Sequence, residues 1–143
     1  MYKKFISNIC NILKISVPTI SYDTSNFTSD TMIAQVNLTG DILFIKSFPE
    51  PNPDSFFAIA HELRHVWQLN YKKEKFFSDY KPSNFCSSLK EYNLQPAELD
   101  ANAFAGLVMI YFFNLGPLFE GMDQDTKDEI SKHMDYLIST GLF

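Results

Sequence analysis

The chain is poor in several residue types that would announce common protein classes. It has two cysteines, Cys10 and Cys86, far apart and in no C-x-x-C pair. Two free thiols in a reducing, cytoplasmic compartment are expected, not a disulfide framework. Basic clusters are lacking too: no basic run exceeds two residues (Lys3-Lys4 and Lys72-Lys73), and the net charge is −5. Phosphate backbones require a concentrated basic face, so direct nucleic-acid binding is disfavoured. No apolar run approaches membrane-spanning length. Histidine is scarce at three residues, yet two of them stand four positions apart.

What is present is core-forming material. Hydrophobic residues make up 45% of the 143, with fourteen Phe and seven Tyr. That composition suits one compact domain over residues 1–143 rather than a disordered chain. The N-terminus "MYKKFISNICNILKISV" starts with basic residues, as a signal peptide would. However, Ser7, Asn8, Asn11 and Lys14 interrupt its apolar residues and no small-residue cleavage site follows. It reads as an amphipathic helix with Phe5, Ile9, Ile12 and Leu13 on one stripe.

Three strand patterns follow, at 19–23, 32–38 and 42–48. The Thr-Gly-Asp link between the last two predicts an antiparallel hairpin. "PEPNP" at 49–53 is a hard break, after which Asp54 or Ser55 can cap a helix running to about Lys72. Residues 73–95 show no firm period. A helix opens near Pro96 and runs to about 114, and a last amphipathic helix spans about 124–139. Helices and strands are segregated, so the predicted class is α+β.

The helix after "PEPNP" carries "AHELRH", with His61, Glu62 and His65. Histidines at i and i+4 lie on one helical face, one turn apart, where two ring nitrogens can hold a zinc ion. Glu62 projects beside such an ion, placed to take a proton from a water that the metal activates. The helix is otherwise apolar nearly all round, which predicts a central position. Two histidines and a glutamate cannot be buried there without partners. Catalytic zinc sites use three protein ligands, and the candidates for the third are Glu98, Asp100 and His133. Glu98, Ala101, Asn102 and Ala105 share a face of small or short side chains that lets another helix approach closely. Asp100 points about 160° away from Glu98 on the helical wheel, so Glu98 is preferred and Asp100 is the fallback. His133 reads as a boundary histidine. Asn102, one turn after Glu98, is placed to accept the free ring N–H of His61 or His65.

With "AHELRH" and "ELDANAFA" both present, the chain resembles the gluzincin metallopeptidases, and most of all the small ImmA/IrrE-type and phage-associated zincins. Those pair an H-E-x-x-H helix with a downstream E-x-x-A-[ND]-x-F-A helix, matched here by Glu98, Ala101, Asn102, Phe104 and Ala105. The resemblance covers about residues 5–112. It implies a minimal zincin-like domain: an N-terminal helix, a small, mostly antiparallel three-stranded sheet, the H-E-x-x-H helix and the glutamate helix. It also implies His61, His65 and Glu98 as zinc ligands and Glu62 as general base. Arg64 departs from the pattern, since many relatives have a small residue there. It either narrows the cleft or pairs with an acidic residue such as Asp54 or Asp100.

The expected activity is zinc-dependent hydrolysis of a peptide or protein substrate, which could add as a strand to an edge formed by 42–48. Tyr71, Tyr92, Tyr111 and Arg64 are candidates for a second oxyanion donor. The aromatic segment 76–92 covers the core or forms a lid. The rival readings are a zinc-binding but proteolytically silent module that acts through protein binding, and a structural protein in which the histidines bond to Glu98 and Asn102.

Overall fold

A computed structural model describes residues 2–117 and 119–143. Among them are six α-helices and a three-stranded sheet, an α+β arrangement. Helix α1 (Lys3–Leu13) buries Phe5, Ile6, Ile9, Cys10 and Leu13 along one side. It stops at Lys14, whose left-handed backbone (φ 56°) turns the chain before Pro18 is reached. Strands β1 (Thr19–Ser21), β2 (Ala34–Val36) and β3 (Ile42–Ile45) follow.

The sheet corrects the expectation of mostly antiparallel pairing. Its order is β1-β3-β2, with β3 antiparallel to β2 but parallel to β1. The most apolar strand takes the middle: Leu43 and Ile45 of β3 are completely buried. The chain between β1 and β2 passes over that slot, and the hairpin from β2 fills it. The hairpin turn needs Gly40, whose φ of +76° favours glycine. The predicted edge at 42–48 is therefore the sheet centre, and β2 is the edge that faces the next helix.

That helix, α2 (Pro53–Tyr71), is capped by Asn52 rather than by Asp54 or Ser55. The Asn52 Oδ1 accepts the Ser55 N–H at 3.0 Å, and Pro53 takes the first helical position, where no N–H is needed. Ser55 is itself fully buried. The 73–95 segment holds short pieces that carry no sequence period: α3 (Lys73–Phe77), a 3₁₀ turn (Ser83–Phe85) and α4 (Leu89–Asn93).

Helix α5 (Pro96–Phe113) is buried along most of its length between α2 and α6 (Gln124–Ser139). Ala101 and Ala105 are completely buried, and these small side chains let α5 lie close to α2. Among the described residues, no helix is long and apolar enough to cross a membrane.

Candidate metal centre

His61 and His65 project from successive turns of α2 toward Glu98 at the start of α5. The Nε2 atoms of the two rings are 3.1 Å apart. The Nε2 of His61 lies 3.1 Å from Glu98 Oε1, and that of His65 lies 3.1 Å from Glu98 Oε2. All three ligand-type atoms fall within 4.8 Å of one another, so the group could hold a metal ion. Ligands of a tetrahedral zinc ion at 2.0–2.1 Å stand roughly 3.3 Å apart, and the spacing found here is close to that.

The opposite ring nitrogens show how these atoms could receive a cation. His61 Nδ1 is 2.9 Å from Asn102 Oδ1, and His65 Nδ1 is 2.8 Å from Gln68 Oε1. The Gln68 amide cannot be turned over. Its nitrogen donates to Ala97 O at 3.0 Å and to Asp100 Oδ2 at 2.7 Å, both of which can only accept. Each Nδ1 thus donates outward. Each Nε2 lone pair then points inward, at the other and at a carboxylate that is only 2% exposed. Three acceptors facing one another in a dry site repel unless a positive charge sits between them.

In the metal-free protein a proton fills that role. Burial opposes charge on His65, but the adjacent Glu98 carboxylate, together with Glu62 and the hydrogen bond to Gln68, outweighs it and lifts the ring to about 9. Burial would raise Glu98, yet the charge of His65 and the close polar contacts with both rings hold it well below the usual carboxylate range. Glu62 moves the other way, pushed up chiefly by burial. Its Oε2 accepts the N–H of Val36 from edge strand β2 at 3.2 Å.

No family model, curated protein or solved structure matches the chain. Function therefore has to be read from the site itself.

The remaining sequence candidates separate cleanly. Asp100 does not face the centre. It receives Arg64 through Nε at 2.7 Å and Nη2 at 3.1 Å, Gln68 at 2.7 Å and His133 Nε2 at 2.7 Å. Arg64 is buried beneath Trp67, with its guanidinium carbon 3.8 Å from the ring centroid. It pairs with Asp100, not Asp54, and does not narrow the cleft. His133 serves this outer pair and not the centre. Tyr71 bonds to Lys14 O, and Tyr111 stacks on Phe143, so neither reaches the site.

Tyr92 does reach it, through a residue expected only as part of the aromatic lid or cover. Tyr80 donates its hydroxyl to Glu98 Oε2 at 2.8 Å, and the Tyr92 hydroxyl is 3.2 Å from that of Tyr80. Gln68 was legible in principle: it stands three residues after His65, on the same helical face. Tyr80 has no comparable signal, because its position depends on how 73–95 folds back.

Proposed function

We propose that this chain is a zinc-dependent metallopeptidase of the gluzincin type, akin to the small ImmA/IrrE-like zincins, hydrolysing peptide bonds in a protein or peptide. One observation carries the proposal: three inward-facing lone-pair donors from two helices, with both outer ring nitrogens already committed to amide oxygens. Two imidazoles and one carboxylate are a ligand set of catalytic zinc sites, which keep a further position open. His61, His65 and Glu98 would hold the ion. Zinc would supply Lewis-acid polarisation of the scissile carbonyl and acidification of the attacking water.

The chain's own residues do the rest. Glu62, raised by burial and adjacent to His61, takes the proton from water and returns it to the leaving amine. Edge strand β2 offers backbone groups to an extended substrate, and Val36 aligns it with the base. With the Tyr80 hydroxyl committed to Glu98, the Tyr92 hydroxyl beside it is the neutral donor this reading assigns to a developing oxyanion.

Metal analysis of purified protein should find about one zinc per chain. Its absence from both native and zinc-replenished protein would refute the proposal. Glu62→Gln should keep the metal and abolish peptide cleavage.

A second reading, a proteolytically silent zinc module that acts by binding a partner, draws support from the enclosure of the centre. The side chains of His61, His65 and Glu98 are only 15%, 10% and 2% exposed. Biological activity that survives Glu62→Gln unchanged would favour it.

A further inference from the structure

Tyr80 reaches the metal centre from the 73–95 segment, and it is held there from both sides. Its ring meets Phe77 edge-on at 5.2 Å. The next residue, Lys81, has its backbone gripped twice by one side chain. Gln95 Oε1 accepts the Lys81 N–H at 2.7 Å, and Gln95 Nε2 donates to Lys81 O at 2.9 Å. Gln95 stands immediately before α5 and makes no side-chain cap on it. Its amide acts instead as a strand neighbour would, giving a donor to an acceptor and an acceptor to a donor. The segment is thereby tied to the chain three residues before Glu98. From this position the Tyr80 hydroxyl lies 2.8 Å from Glu98 Oε2.

That bond makes the two oxygens of Glu98 unequal. An ionised carboxylate can only accept, so the phenol donates. Oε2 receives the hydroxyl, while Oε1 faces the Nε2 of His61 at 3.1 Å. Glu98 is almost fully buried, so the protein itself decides what each oxygen meets. A carboxylate free at both oxygens can hold a metal ion with both. With two imidazoles it would then supply four donor atoms, and a water would make five. A carboxylate with one oxygen hydrogen-bonded binds through the other. Three donor atoms and one solvent position then complete a four-coordinate site.

We propose that Tyr80 is a positioning residue of the metal centre: by holding Oε2 it restricts Glu98 to ligation through Oε1 and keeps the site four-coordinate. The inference rests on the metallopeptidase reading of His61, His65 and Glu98 and deepens it. The ligand set is then not complete in α2 and α5 alone. Its geometry depends on the segment between them, which Gln95 locks in place. A ring without the hydroxyl would leave Oε2 free to join Oε1 on the ion. The extra donor would weaken the Lewis acidity on which the attacking water depends.

Cobalt(II) in place of zinc reports the coordination number, because four-coordinate Co²⁺ absorbs strongly in the visible and five-coordinate Co²⁺ weakly. The experiment titrates Co²⁺ into metal-free full-length protein and into Tyr80→Phe. The variant keeps the ring that packs on Phe77, so it should fold normally. The unmodified protein is expected to give the intense four-coordinate bands. Tyr80→Phe is expected to bind Co²⁺ with the same stoichiometry but to lose intensity toward the five-coordinate spectrum. A loosened fold alone would lower stability without adding a ligand atom, so the spectrum separates positioning from support. If both proteins bind Co²⁺ and share one spectrum, or if the unmodified protein already shows the weak bands, the role of Tyr80 is refuted and the metal centre stands. If Co²⁺ gives no visible bands with either protein, the metal centre itself falls, and the inference with it.

Discussion

Gln68 Oε1 accepts the Nδ1–H of His65 at 2.8 Å, while the amide nitrogen of the same side chain is held by Ala97 O and Asp100. The tautomer of His65 is therefore set by a residue on its own helix, whereas that of His61 is set across the interface by Asn102. Gln68→Leu removes the acceptor and leaves a buried ring N–H unpaired. Zinc affinity, measured by competition with a chromophoric chelator, should weaken about 10–100-fold. Unchanged affinity would contradict this role.

The Arg64–Asp100 pair lies behind the centre and bears on stability. Both side chains are almost fully buried, and the guanidinium also rests on Trp67. Arg64→Leu leaves a buried carboxylate short of its strongest partner. A loss of about 3 kcal/mol is expected for the metal-free protein in urea unfolding, with the metal ligands still able to load zinc.

Acid should reveal the same carboxylate. Burial would raise Asp100, yet hydrogen bonds from His133 and Arg64 and the charge of Arg64 hold it well below the usual range. The unfolded chain therefore takes up this proton first as pH falls. The stabilisation is fully present above the ordinary aspartate value of about 3.9 and is lost as pH drops from there toward the depressed folded value. In metal-free protein, Asp100→Asn should be less stable near neutrality and should lose stability less steeply below about pH 4. Parallel acid limbs for the two proteins would count against it.

Tyr80→Phe keeps the ring, which packs 5.2 Å from Phe77, and deletes only the hydroxyl that serves Glu98. Hydrogen bonds to charged groups contribute about 1.5–3 kcal/mol. A stability loss in that range is expected for the metal-free protein by urea unfolding. A loss within error of zero would mean that the hydroxyl does not support Glu98.

Much of this arrangement was visible in the sequence because helical spacing is rigid. His61 and His65 had to share a face, and Glu98, Ala101, Asn102 and Ala105 had to form another. Close approach of α5 to α2 followed from the alanines. What the sequence left hidden depends on where the chain travels. Parallel pairing of β1 with β3 is decided by the path of residues 22–33, which has no local code. The cap on Asn52 outcompeted Asp54 and Ser55 because Pro53 fixes the first helical residue one step earlier. The five-residue helices α3 and α4 are too short to show a period, and Tyr80 is placed by their packing. His133 meets Asp100 only because α6 folds back onto α5.

Edge strand β2 has a further consequence for solubility. An open strand edge is a template on which another chain can pair, and folded proteins blunt such edges with charge. Glu62 holds a carboxylate against the outward N–H of Val36, at the site where a second copy of the molecule would begin to stack. The Glu62 carboxylate thus occupies one of the backbone donors through which that edge would pair. Replacing it with an apolar side chain would free that N–H and leave the rim stickier.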